Sequence, residues 1–304
     1  MITQPTVLIL GAGASKPYGY PSGRELLNII RRDLVPGMES ELKTRLVRLG
    51  LKRGPIDDFR QELGFADPDS VDAFLENRPE FLDLGKLVIA FCLIPYEKAN
   101  VFFGTKGSDR EPSCWYSYLI RSMYVRNFKE FKDNELSIIT FNYDRSLEHY
   151  LFTVLKHRYN VLAPECADAL KHIPIIHVHG KLGNLPWQVT KPHREYGLTE
   201  DLEVIRTASQ HILVMSEKED HSQLFDLVAG LLGRAEKAYF LGFGYHETNL
   251  RRLQIHQYAN KLKMFGTSFG LGTAEWRSIS DKWRITFAGD GIDILSLFRD
   301  HYPI

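Results

Sequence analysis

The sequence predicts an α/β fold: a doubly wound, mainly parallel, Rossmann-like sheet carrying a helical insertion. Three observations predict it. The apolar run Val7–Leu10 leads directly into Gly11-Ala12-Gly13, the way a buried strand feeds a tight turn. From residue 136 onward, apolar runs of strand length alternate with helix-length segments, which implies parallel strands joined by right-handed crossovers. Between about residues 36 and 133, apolar positions recur at helical spacing with no strand-like alternation.

Taken in order, Val7–Leu10 reads as a strand buried on both faces. Ser22 and Glu25 form an S-x-x-E capping box that starts a helix through Leu26, Leu27, Ile29 and Ile30. The insertion follows, with helical periodicity in Leu42–Leu49, Val71–Leu75, Phe81–Phe91 and Trp115–Phe128. Pro55, Pro68, Pro79 and Pro112 mark its breaks, and Gly104–Ser108 reads as an exposed loop. Strands are then expected at Leu136–Phe141, Ile173–His179, His211–Met215, Ala238–Phe243 and Met264–Phe269. Helices are expected from Asp144 onward, at Gln223–Leu232, at Asn249–Leu262 and at Ile292–Phe298. The whole, residues 1–304, is read as one domain with the insertion at about 36–133.

Composition narrows the function. With 44% hydrophobic residues the chain has ample material for a core. Lysine plus arginine and aspartate plus glutamate both number 38, so no whole-molecule field draws in nucleic acid or an anionic membrane. Neither is expected as a direct partner, while zero net charge is compatible with a homo-oligomer. The three cysteines, Cys92, Cys114 and Cys166, form no CxxC pair. A disulfide framework or a cysteine zinc site cannot be built from them, so no metal and a cytoplasmic setting are expected. No basic region precedes the first apolar run, which reads as a core strand rather than a signal peptide. Phe81–Tyr96 contains Asp83 and Lys86 and is too short to span a bilayer.

In doubly wound sheets the ligand lies outside the carboxyl ends of the strands, here just after Leu10, Phe141, Val178 and Phe243. Gly11, Ala12, Gly13 and Ser15 follow the first, where glycine lets backbone N–H groups approach a pyrophosphate. Lys16 stands where a dinucleotide fingerprint has its third glycine, so a plain strand-to-helix turn remains the alternative. Thr140-Phe141-Asn142-Tyr143-Asp144 follows the second. Asn142 either meets a ligand or bonds the neighbouring loop, and Asp144 either acts in the site or caps the next helix. In Ile176-His177-Val178-His179-Gly180 the two histidines project to one face of a strand. They can be metal ligands, ordinary structural histidines, or, for His179, an acid–base group beside a glycine that leaves room for substrate. Gly242-Phe243-Gly244-Tyr245-His246 offers a second glycine pair to lie against a ribose or phosphate, or a simple turn. Phe265-Gly266-Thr267-Ser268 is a fainter version. All these features at strand ends on one rim predict a nucleotide site.

Four segments in order, GAGAS…GYPS, TFNYD, HVHG and LGFGY, make the chain resemble the sirtuin superfamily, in particular the sirtuin-like NAD-consuming proteins of bacterial antiviral defence. The resemblance implies that Pro21 and Arg24 belong to the first nucleotide loop, with Ser22 and Gly23 departing from the family's aspartate and phenylalanine. It assigns Asn142 and Asp144 to the family's asparagine–aspartate pair, His179 to its catalytic histidine, and Gly242, Gly244 and Tyr245 to its ribose loop. Deacetylating sirtuins carry two cysteine pairs between the HG motif and the ribose loop, yet residues 181–241 hold no cysteine. The zinc form of that module is therefore absent, which disfavours deacetylation and favours NAD hydrolysis.

The function implied is an NAD+ glycohydrolase giving nicotinamide and ADP-ribose, with NAD as substrate and a separately encoded ATPase, nuclease or Argonaute-like protein as defence partner. Three other readings remain. A Rossmann oxidoreductase wants the glycine missing at Lys16 and an acid about 20 residues on, where only Asp33 stands. A sensor would hold NAD or ADP-ribose without turnover. A deacylase or ADP-ribosyltransferase needs a groove for its acceptor.

Overall fold

The computed structural model describes residues 1–103, 114–214 and 222–304. Its centre is a six-stranded sheet, all parallel, in the order β3-β2-β1-β4-β5-β6. The strands are β1 (Thr6–Leu10), β2 (Leu136–Thr140), β3 (Ile175–His177), β4 (Lys237–Leu241), β5 (Lys263–Gly266) and β6 (Thr286–Phe287). This order reverses direction between β1 and β4, which is where dinucleotide-binding α/β sheets open their crevice. The expected doubly wound, Rossmann-like sheet is present.

β1 is buried along its whole length because it pairs on both edges and is covered on both faces. Leu8 and Leu10 join one hydrophobic cluster with Ile138, Tyr239 and Leu241. Over them pack α7 (Trp115–Ser122), α8 (Ser146–Tyr159), α9 (Ala163–Leu170) and α14 (Ile294–Ser296). Val7 and Ile9 point the other way, into a cluster with Phe240. There α11 (Ser222–Arg234), α12 (Glu247–Arg252) and α13 (Thr273–Trp283) cover the sheet. Period-two alternation along one apolar run thus feeds two cores.

The segment between β1 and β2 is helical. It comprises α1 (Gly23–Asp33), α2 (Glu41–Arg48), α3 (Arg53–Ala66), α4 (Val71–Asn77), α5 (Leu82–Leu93), the short α6 (Asn100–Phe103) and α7. α1 starts at the expected capping box: Ser22 Oγ accepts from the Glu25 N–H while Glu25 accepts from the Ser22 N–H. α1 to α5 share a third core with α10 (Leu202–Ser209). A fully buried ion cluster ties this helical layer down. Glu97 accepts from Arg145 at 2.8 and 3.0 Å and from Arg194 at 2.7 Å, and Arg145 also donates to the carbonyls of Asn184, Arg194 and Glu195.

Several expected elements change. His211–Met215 is not a strand: Ile212 makes one isolated antiparallel bridge to Gly180, and Met215 lies outside the described residues. Its apolar side chains Ile212 and Val214 are buried beneath the insertion instead of in the sheet. The Ile173–His179 strand contracts to β3, bounded by Pro174 and by Gly180 at φ +66°. The Ala238–Phe243 strand stops at Leu241, before Gly242 at φ +55°. Asn249–Leu262 breaks at Gln254, whose φ of 52° ends α12 before a 3₁₀ turn at Ile255–Tyr258. Met264–Phe269 pairs only as far as Gly266, and Ile292–Phe298 begins at Asp293, whose side chain caps Ser296. The α9, α10, α13 and β6 elements carry no expectation above, and Gly104–Ser108 lies outside the described residues. Among the described residues no helix is long and apolar enough to cross a membrane.

Candidate functional site

A cavity of about 700 Å³ opens at the carboxyl ends of β1, β2, β4 and β5, on the switch point of the sheet. Gly11, Ala12 and Gly13, then Asn142 and His179, then Gly242 and Gly244 line it. Arg24 joins them from the start of α1. Ser15, Pro21, Asp144 and Tyr245 do not reach its surface.

The glycines have a structural duty that their spacing does not reveal. A Cβ on Gly11 would come 2.6 Å from the Gly242 carbonyl oxygen, and one on Gly13 would come 2.8 Å from it. One on Gly242 would fall on the Ala14 nitrogen. Two turns therefore cross with their backbones touching, and only glycine fits. Their N–H groups are engaged in that crossing. Gly11 donates to Leu241, Gly13 to Gly242, Ala14 to Gly11 and Ser15 to Ala12. The Ala12 N–H is the one left for a ligand, so the loop is not the many-pronged phosphate cradle the sequence led us to expect. Gly180 is likewise required by contact, since a Cβ there would strike the His211 carbonyl oxygen. It does not serve to clear space for substrate.

Asn142 is fixed at three of its four polar groups. Its N–H donates to Thr140 Oγ1, its carbonyl accepts from His177 Nδ1 at 2.9 Å, and its Nδ2 donates to the Gly11 carbonyl at 2.9 Å and to Ser15 Oγ at 3.0 Å. Because the Gly11 carbonyl can only accept, the amide orientation is set. Oδ1 is left without a partner among the described residues, so toward a ligand Asn142 is an acceptor. Of the two expected alternatives, the bond to the neighbouring loop is present, and the residue also lines the cavity.

Asp144 stands behind this amide. Its Oδ2 accepts from Ser15 Oγ at 2.7 Å, and its Oδ1 accepts from the Ser146 N–H at 3.1 Å and from Ser146 Oγ. Burial pushes its carboxyl up, against the serine hydrogen bonds that favour the ionised form. Ser15 donates to Asp144 and so accepts from Asn142, a directed chain that locks the amide. Asp144 positions; it does not touch the cavity.

The two histidines of the HVHG segment differ completely. His177 faces acceptors at both nitrogens, the Asn142 carbonyl and Glu148 Oε1, each at 2.9 Å. Both of its ring nitrogens are thus taken up within the protein. Burial alone would raise the Glu148 carboxyl, but the charges of His177 and Lys181 hold it at about 2. His179, 5% exposed, packs against Phe141 and Tyr143, and its Nδ1 is sealed from solvent without a partner. Nε2 is the nitrogen left to exchange a proton with a ligand.

Tyr245 lies under the rim, its hydroxyl donating to the Thr267 carbonyl at 2.9 Å. Lys16 lines the cavity but pairs with Glu25 at 2.6 Å, whereas Arg24 forms no ion pair among the described residues. The cavity also takes in Thr267 from the fainter glycine segment, and Asp72, Trp115 and Phe269, which the motifs did not point to. Asp72 arrives from α4, and in the sequence it is merely an acid in the first turn of a short helix. Trp115 Nε1 donates to the Ala14 carbonyl at 2.8 Å, bracing the first loop from the insertion. No protein-family model matches the chain, and no curated protein matches it.

Proposed function

We propose that the chain hydrolyses NAD+ at the nicotinamide–ribose bond, the reaction its resemblance to sirtuin-like defence proteins implies. One observation carries the proposal: a fixed acceptor, Asn142 Oδ1, and an unpartnered imidazole, His179, line a single cavity at the switch point of a dinucleotide-type sheet.

The C1′–N bond breaks with its electron pair leaving on the nicotinamide nitrogen, so the base departs neutral and positive charge passes to the ribose. Water then bonds to C1′ and gives up one proton, leaving nicotinamide, ADP-ribose and H+. Asn142 accepts a hydrogen bond from a ribose hydroxyl or from that water, orienting it without any rotation during the reaction. His179 takes the proton through Nε2. The pyrophosphate rests at the start of α1, where the Gly23 and Arg24 N–H groups precede the first intrahelical bond, beside the Arg24 guanidinium and the Ala12 N–H.

The test is incubation of the pure chain with NAD+, with and without candidate partner proteins, and chromatography for nicotinamide and ADP-ribose. His179→Ala is the cleaner variant, because its ring makes no hydrogen bond among the described residues; it should lower nicotinamide release ~10²–10⁴-fold while the chain still folds cooperatively. Asn142→Ala should lose at least as much. Wild-type rates in both variants would overturn the assignment.

A further inference from the structure

Asp72 is an acid in the wrong place for a purely structural role. It lines the cavity that holds Asn142 and His179, and its Oδ1 is sealed from solvent with no hydrogen-bond partner among the described residues. Other buried acids are matched: Glu97 by Arg145 and Arg194, Glu148 by His177, Asp144 by Ser15 and Ser146. Asp72 forms no ion pair among the described residues; its own backbone N–H and the charges of His179 and Arg252 offset it only in part. The guanidinium that reaches toward it from α12, Arg252, is committed to Glu76 through two bonds of 2.9 Å. His179 lines the same cavity, and no hydrogen bond or ion pair joins the two. Burial pushes the Asp72 carboxyl up, against the partial compensation of its backbone hydrogen bond and of the charges of His179 and Arg252.

A carboxylate left only partly compensated in a cavity is stabilised by a ligand that brings positive charge to it. Oxidised NAD+ carries one such group, the pyridinium ring; the reduced dihydropyridine is neutral. We propose that Asp72 recognises the cationic base, so that the site takes the oxidised dinucleotide in preference to the reduced one and keeps a carboxylate beside C1′ as the charge moves onto the ribose. The preference concerns binding; the second part rests on the hydrolase reading above. Arg24 and Asp72 then divide the substrate between them, cation to pyrophosphate and anion to base.

The experiment compares wild type with Asp72→Asn and Asp72→Glu. Nicotinamide release gives kcat/KM for NAD+, inhibition by NADH gives its inhibition constant, and calorimetry gives dissociation constants for both nucleotides. Asp72→Asn should lower kcat/KM for NAD+ at least about tenfold, the scale of one lost charged contact, while NADH binds as in wild type. Asp72→Glu, which keeps the charge, should retain the preference for NAD+. An equal loss for both nucleotides, or no loss for either, overturns the proposal. If wild type binds both nucleotides but releases no nicotinamide, the hydrolase reading falls, and the two dissociation constants still decide the role of Asp72.

Discussion

The cavity has two walls, and they treat their polar groups in opposite ways. On the sheet side, where β1, β2 and β4 turn outward, nearly every donor and acceptor is engaged within the protein: the N–H groups of Gly11 and Gly13, Nδ2 of Asn142 (its Oδ1 is the exception), and the carboxylate of Asp144. On the side formed by the starts of α1 and α4 and the end of the β3 segment, Asp72 Oδ1 and His179 Nδ1 are sealed without partners among the described residues, and Arg24 has no ion pair there. Buried polar groups are normally satisfied, so the engaged wall is scaffold and the unengaged wall awaits a ligand. Mutations on the first should therefore cost stability, and mutations on the second should cost binding or rate.

The largest effect should come where the two turns cross. Gly242→Ala sets a Cβ against the Ala14 nitrogen and the Gly13 carbonyl carbon at a φ of +55°. We expect a loss of roughly 3 kcal/mol or more, read as a fall in the denaturant midpoint. Gly19→Ala is the control. Its φ is also positive, at +89°, but nothing lies within 4 Å of the added carbon, so only about 1 kcal/mol should be lost. Equal costs for the two would show that the crossing does not depend on contact.

Next comes the ion pair that holds Asn142 from below. The Glu148 carboxyl is lowered in the folded chain from 4.5 to about 2, so its contribution is complete above 4.5 and is lost as pH falls toward 2. Its size is on the order of 3 kcal/mol. Glu148→Gln should flatten the dependence of unfolding free energy on pH across that window, measured by urea titrations at successive pH values. An unchanged slope would mean that His177 and Glu148 do not hold the turn as a charged pair.

The engaged wall was partly legible in the sequence and the other wall hardly at all. Val7–Leu10, the Ser22–Glu25 box and the strand before Asn142 carry local signals, and the fold obeys them. The glycine spacing was misleading in a specific way. A position that needs close backbone approach looks the same whether its neighbour is a phosphate or a carbonyl, and at Gly11 and Gly13 the neighbour is Gly242. Ile212-Leu213-Val214 reads as a strand because burial alone makes an apolar run, here burial under α5 and α10. Asp72 was invisible for a different reason. Nothing in residues 69–77 says that this helix start will lean over the end of β3; the Glu97 cluster and the packing of α4 on α1 and α5 bring it there.

The smallest stability effect, and the sharpest test of the division between the walls, belongs to Arg24. Its side chain is exposed, lines the cavity and forms no ion pair among the described residues, so Arg24→Ala removes no internal contact of consequence. Unfolding free energy should stay within about 0.5 kcal/mol of wild type. KM for NAD+ should nevertheless rise about three- to tenfold, and it should depend less steeply on salt, because an exposed guanidinium facing a pyrophosphate is screened by added ions. A charge that served only the surface of α1 would change neither KM nor its salt dependence. Lys16 shows what that case looks like: it lines the same cavity, but Glu25 already holds it at 2.6 Å, so its removal should leave the salt dependence of KM in place.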